Sequence, residues 1–222
     1  MDVSVAVARR MAVRAFRPDP VSGNVVRGIL TAACRAPSGG NLQPWKTYAL
    51  GGDVLADFKA VIADKFRRGV TEAPEYAVYP PNLWDPYRRR REETRAGRYV
   101  AIGYSVDDRR GEEDLAERNF EFFGAPVGLF FCLDSRLGPP QWADVGMFMQ
   151  TVMLLAVEQG IDTCPQEIWA RWPKTIRQCL RLPDEYMVFA GMSMGYRDPD
   201  HPLNRLRTKR EPFEIVGQML GF

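Results

Sequence analysis

The residue types that could do chemistry in this chain are arginines, amides and glycines. Arg10 and Arg14 stand four positions apart, a spacing that on a helix puts both guanidinium groups on one face, where they could grip a phosphate together. Alone, the pair reads first as a solvated basic face. Arg205, Arg207, Lys209 and Arg210 gather before Glu211-Pro212-Phe213 and could form the other half of an anion clamp, because planar guanidinium forks match phosphate oxygens. That cluster, too, reads on its own as a solvated tail. Between these lies Ala36 to Trp45, a small, polar, glycine-containing stretch that offers backbone N–H groups and a side-chain amide where bulkier residues would block a planar ligand.

Other chemistries lack their residues. His201 is the single histidine, set between Asp200 and Pro202, so no histidine metal cage exists and no serine or cysteine has a histidine nearby in sequence. The glycine fingerprints of dinucleotide and nucleotide-phosphate cradles are absent, so an enzyme built on this chain needs a bound organic cofactor. Cys34, Cys132, Cys164 and Cys179 show no CxxC spacing and are expected to be buried free thiols. A net charge of +2, from 30 basic and 28 acidic residues, gives no general attraction for nucleic acid. Every apolar run is shorter than a membrane span, and Met1-Asp2-Val3-Ser4 does not read as a secretory leader, so a cytoplasmic protein without membrane attachment is expected.

The elements that must position these residues follow from periodicity. The pattern predicts a first helix capped by Asp2, with Val5, Ala8, Ala12 and Val13 inward, stopped by Pro18 and Pro20. Ser22 caps a second helix carrying Val25, Val26, Ile29, Leu30 and Ala33, which ends at Ala36-Pro37. Trp45 to Leu50 reads as a strand, Gly51-Gly52 as a turn, and Asp53 to Arg67 as an amphipathic helix with Val54, Leu55, Phe58, Val61, Ile62 and Phe66 inward. From Glu72 to Arg110 periodicity dissolves among prolines and aromatic residues, the mark of a partly helical lid or a packed insertion. Glu112 to Phe123 is helical, Val127 to Leu133 and Tyr186 to Met194 are buried strands, and Pro140 to Gln159 is a helix apolar nearly all round. Irregular interleaving of helices and strands in 222 residues predicts one α+β domain spanning 1–222, with a lid or insertion at about 72–110.

Four motifs in this order resemble the nitroreductase family. They are Arg10-Met11-Ala12-Val13-Arg14-Ala15-Phe16, Pro37-Ser38-Gly39-Gly40-Asn41-Leu42-Gln43-Pro44-Trp45, Cys164-Pro165-Gln166-Glu167 in a loop after the long helix, and Arg207-Thr208-Lys209-Arg210 near the end. The resemblance implies an α/β/α sandwich with a mixed, largely antiparallel sheet and a helical lid, assembled as a homodimer with FMN at the interface. It implies that Arg10, Met11, Ala12 and Arg14, with Arg207, Lys209 or Arg210, hold the FMN phosphate and ribityl end. Pro37, Ser38, Gly39 and Asn41 would reach the flavin of the other subunit. Pro165, Gln166 and Glu167 would lie along the isoalloxazine, and Arg118 or Asn119 would face its pyrimidine edge. Ala12 stands where the family commonly has serine, which removes a hydroxyl contact worth about 1 kcal/mol.

The activity so implied is hydride transfer from NADPH or NADH to flavin N5 and on to nitroaromatic or quinone-type acceptors in a ping-pong cycle, with no side chain required as catalytic acid. Reductive dehalogenation, flavin breakdown and non-catalytic FMN binding are the alternatives on the same scaffold.

Overall fold

A computed structural model describes residues 1–222. Four strands frame it: β1 (Lys46–Gly51), β2 (Val127–Asp134), β3 (Asp162–Gln166) and β4 (Tyr186–Gly195), in the order β1-β2-β4-β3 with every neighbouring pair antiparallel. Helices cover both faces. Along β2, Leu129, Phe131 and Leu133 enter one apolar layer while Phe130 and Cys132 enter the other, the period of two expected of a strand buried on both sides. A bulge at Phe189 of β4, where Phe131 pairs with Ala190 but Cys132 pairs with Val188, shifts the phase. Met187, Ala190, Met192 and Met194 therefore all serve the first layer.

The nine helices are α1 (Val3–Arg9), α2 (Gly23–Ala33), α3 (Gly52–Arg67), α4 (Tyr87–Ala101), α5 (Arg109–Phe120), α6 (Pro139–Glu158), α7 (Pro173–Leu180), α8 (Pro202–Arg205) and α9 (Phe213–Val216). In the first layer Val26, Ile29 and Ala33 of α2 meet Val145, Phe148, Val152 and Ala156 of α6, the helix whose near-continuous apolarity predicted a central place. In the second, Leu55, Phe58 and Ile62 of α3 pack with Phe120, Phe122, Trp169, Trp172 and Ile176. Trp169 is fully buried against Phe122, with ring centroids 4.7 Å apart.

Several expectations need correction. The first helix ends at Arg9, because the chain beyond it gains tertiary strand pairing that a helix would forfeit. Asp2 makes no capping hydrogen bond, whereas Ser22 accepts one from the Asn24 N–H at 3.3 Å. Val54 and Val61 lie on the exposed side of α3. Cys164, Pro165 and Gln166, expected in a loop, form edge strand β3, where a proline is tolerated because the outer side of the strand is paired only by the isolated bridge at Thr163. The four-stranded sheet is wholly antiparallel; the one parallel pairing is an isolated bridge between Ala12 and Thr163. Cys132 and Cys164 are buried free thiols, but Cys34 and Cys179 are exposed.

Candidate functional site

The site is built on the edge of β3. Arg10 leaves α1 with ψ of 131°, and the following residues run extended: Ala12 bridges Thr163, the Val13 N–H donates to the Thr163 carbonyl at 3.0 Å, and Phe16 bridges Arg197. Buried Asn204 locks the strip from the other side, its Oδ1 accepting from the Arg14 N–H at 2.8 Å and its Nδ2 donating to the carbonyls of Ala15 and Asp198. In extended chain alternate residues share a side, so Arg10, Ala12 and Arg14 still line up together. A spacing of four satisfies both periods, which is why the shared face survives although the helix does not.

Charge gathers along this strip. Burial and the neighbouring Arg210 push the Arg10 guanidinium below its ordinary range, and Arg207 reaches the Met11 sulfur. The Arg14 charge and that of Arg98 on α4 are near enough to act on one another and on the fully buried Cys164 thiol. Arg10, Arg14, Arg98, Arg207 and Arg210 make no ion pair with a carboxylate, whereas Arg118 and Arg197 each have one and Arg177 has two. Two buried polar atoms beside the strip, Arg98 Nε and Thr163 Oγ1, have no hydrogen-bond partner. Such a set of uncompensated donors calls for an anionic, acceptor-rich ligand.

At the end of β3, Gln166 is fully committed within the chain. Its Nε2 donates to the carbonyl and Oδ1 of Asn119 at 2.7 and 2.6 Å, and the Ser193 hydroxyl donates to its Oε1 at 2.8 Å. Pro165 is half-buried, and Glu167, opening a turn of 3₁₀ helix, is exposed near the Tyr76 and Tyr79 hydroxyls. Of the two adjacent α5 residues, Asn119 therefore joins β3. Arg118 turns away to Asp114 at 2.8 Å, beside His201.

The Pro37 to Trp45 loop sits elsewhere. Gly40, Asn41 and Gln43 adopt positive φ of 57°, 56° and 48°, with the Ser38 hydroxyl accepting from the Gln43 N–H at 3.0 Å. Buried Asp144 of α6 accepts from the Gly39 N–H at 3.2 Å. Its end is anchored in the first layer, with Pro44 buried and the Trp45 ring stacked on Phe148 at 4.8 Å, while Gly39 to Gln43 are exposed, and no hydrogen bond or ion pair ties the loop to the arginine strip of the same chain. The structure thus brings together Arg10, Met11, Ala12, Arg14, Arg207 and Arg210, and Asn119 with Gln166, while Ser38, Gly39 and Asn41 point outward from another part of the surface. Arg98 was missed. Its signal was the spacing of Arg91, Arg95 and Arg98, concealed by the denser run Arg88 to Arg91.

An antiparallel sheet between two helical layers, with uncompensated arginines along one edge strand, defines an α+β protein of the helix-on-sheet class. The model of the nitroreductase family matches residues 7–196. The chain is 37% identical to a 4-nitrobenzoate reductase of Pseudomonas putida, over 100% of this chain and 96% of that protein. It is likewise 37% identical to a chloronitrobenzene nitroreductase of Comamonas testosteroni, over 92% and 91%. The crystal structure of the FMN- and NADPH-dependent nitroreductase NfnB from Sphigopyxis sp. strain HMH superposes with a TM-score of 0.96 at 40% identity, covering 100% of both chains. The chain belongs to the nitroreductase family.

Proposed function

We propose that this protein is an FMN-dependent NAD(P)H oxidoreductase that reduces nitroaromatic compounds. The observation that carries the reading is the strip of arginines without counter-ions along residues 10–14, joined by Arg207 and Arg210 and edged by buried orphan donors. These residues fit FMN: guanidinium forks for its phosphate and unpaired N–H and O–H groups for its carbonyl and ribityl oxygens. Arg10, with Arg207 and Arg210, holds the phosphate, and the backbone around Met11 and Ala12 holds the ribityl chain, with Arg14 at the end where that chain joins the ring. Pro165, Gln166 and Glu167 support the ring by their backbone, since the Gln166 side chain is occupied. When bound, FMN supplies a ring that accepts hydride, two electrons with one proton, at N5, which leaves negative charge along its N1–O2 edge until an acceptor removes the electrons.

Asn119 rather than Arg118 serves the ring end, because only Asn119 lies against β3. Pro37, Ser38, Gly39 and Asn41 serve the flavin of a second copy in a homodimer, which accounts for a preorganised, exposed loop with no tie to the arginine strip of its own chain. The names of the relatives favour nitrobenzene and nitrobenzoate derivatives as acceptors. Donor and acceptor use one pocket in turn, the chain having no separate dinucleotide cradle. No helix is long and apolar enough to cross a membrane, in keeping with a place in the cytoplasm.

The test is the visible spectrum of the purified protein under anaerobic titration with NADPH and then NADH. Flavin bands that bleach with a nicotinamide donor and return on adding 4-nitrobenzoate or nitrobenzene are expected. Bound flavin that no nicotinamide bleaches would overturn the activity, and failure to take up added FMN would overturn the cofactor.

A further inference from the structure

Helix α4 carries its arginines in two sets. Arg88, Arg89 and Arg90 pair with Asp85, Glu93 and Glu211. Arg91, Arg95 and Arg98 recur at spacings of four and three, one face of the helix, and meet no carboxylate. Arg91 lies over the Tyr79 ring at 4.6 Å and Arg95 over Tyr99 at 5.5 Å. Arg98, the innermost, has no such cover. Its Nε is buried without an acceptor, and the titratable groups around it are Arg14, Cys164, Tyr79 and Arg91. Burial, and then the Arg14 charge, push its guanidinium well below its ordinary range, to about 10. Two guanidinium groups drawn together out of water are costly unless an anionic group lies against them.

A second such pair, Arg10 beside Arg210, occupies the other end of the same strip. Four steps of extended chain separate Arg10 from Arg14, about 13 Å. FMN has two anionic ends to match: the phosphate, and the N1–O2 edge of a ring that has received hydride. The ring end falls to Arg14 and Arg98 because Cys164, beside both, leads directly into Pro165, Gln166 and Glu167. Resting on the FMN reading above, we infer that Arg98, supplied by the 72–110 insertion, is a cofactor-binding residue that faces the flavin pyrimidine edge beside Arg14 and offsets the charge reduction places there. The insertion is then a wall of the cofactor site. Its helix is seated accordingly, with Gly97 close enough to Leu206 that a Cβ would lie 3.9 Å from that side chain.

The experiment titrates the apoprotein with FMN and with riboflavin and measures the bound-flavin midpoint potential for wild type, Arg98→Met, Arg98→Lys and, as a surface control, Arg95→Gln. Arg98→Met keeps most of the apolar stem and removes the charge. It is expected to weaken FMN and riboflavin by the same factor and to weaken reduced FMN about tenfold more than oxidised, which lowers the potential by about 30 mV. Arg98→Lys restores most of both readouts, and Arg95→Gln changes neither. Losses confined to FMN would move Arg98 to the phosphate and overturn the inference. So would unchanged binding and potential, including the case in which only KM for a carboxylated nitroaromatic rises. A variant that does not fold is replaced by Arg98→Lys at pH above and below the lysine titration, where a potential insensitive to that charge overturns the inference equally. Wild type that binds no FMN would bring down the cofactor reading and this inference together; wild type that binds while the Arg98 variants match it brings down this inference alone.

Discussion

Arg14 illustrates how much one side chain is asked to do at the residue scale. Its N–H is fixed by Asn204, its guanidinium touches only the Ala12 carbonyl at 3.2 Å, and its remaining donors are free for a ligand. A charge-assisted hydrogen bond is worth about 1.5–3 kcal/mol. Arg14→Gln is therefore expected to weaken FMN about 10- to 100-fold in a fluorescence titration of the apoprotein; unchanged affinity would remove Arg14 from the site. His201 has a structural task instead, capping α8 by accepting from the Leu203 N–H at 3.3 Å. Burial and the Arg118 charge hold its pKa below the ordinary 6.5. The unfolded chain thus binds a proton there before the folded one, so the stabilisation is full above pH 6.5 and declines as pH falls toward the folded value. His201→Asn, which keeps a capping acceptor, should flatten the fall in unfolding free energy between about pH 7 and 5, the range of histidine titration. An identical slope in urea melts at several pH values would contradict this.

Among the elements, the 72–110 segment differs most from its sequence pattern. Its start is fastened to the sheet and second layer. Glu72, with its side chain only 6% exposed, accepts from the N–H groups of Lys174 and Thr175 at 2.8 and 3.2 Å, in the first turn of α7. Glu75 pairs with Arg177 at 3.0 Å and accepts from the Val188 N–H, while the Tyr76 hydroxyl donates to the Phe189 carbonyl. Glu72→Ala is expected to cost about 2–3 kcal/mol, since it uncaps a helix and strands buried donors. Thermal melts should show it as a Tm lower by several degrees; a loss below 0.5 kcal/mol would mean that α7 is capped by other means. Helix α4 is clamped in turn by Arg90 to Glu211 at 3.0 Å, which couples this segment to the C-terminal arm.

For the molecule as a whole, the arm raises the question of what covers it. Phe213, Ile215, Val216, Met219, Leu220 and Phe222 are all exposed, Phe222 at 99%. Contiguous exposed apolar side chains on this scale mark an association surface. The proposed homodimer supplies one, and it also supplies a flavin for the outward-facing Ser38 to Asn41 loop. Sedimentation is expected at twice 25.2 kDa, with Ile215→Asp combined with Leu220→Asp shifting the population toward the single chain. A monomeric wild type that binds FMN fully would refute the shared site.

Patterns that repeat locally were legible in the sequence. The apolar runs of β2, β4 and α6, the Ser22 cap, and the order of the four motifs follow from neighbours in the chain, and they sufficed for the α+β sandwich and the nitroreductase resemblance. Tertiary structure alone decided what depends on distant partners. Residues 10–16 have helical composition, yet pairing with Thr163 and Arg197 draws them straight. β3 holds a proline and only five residues, so its strand character comes from β4 rather than from itself. Whether Arg118 or Asn119 meets Gln166 depends on the rotation of α5, and Arg98 comes near Arg14 only because α4 packs against α8, whose Asn204 holds the strip. Periodicity records which side of an element is apolar; which cation stands beside which, 84 positions apart in the case of Arg14 and Arg98, is fixed only when the elements pack.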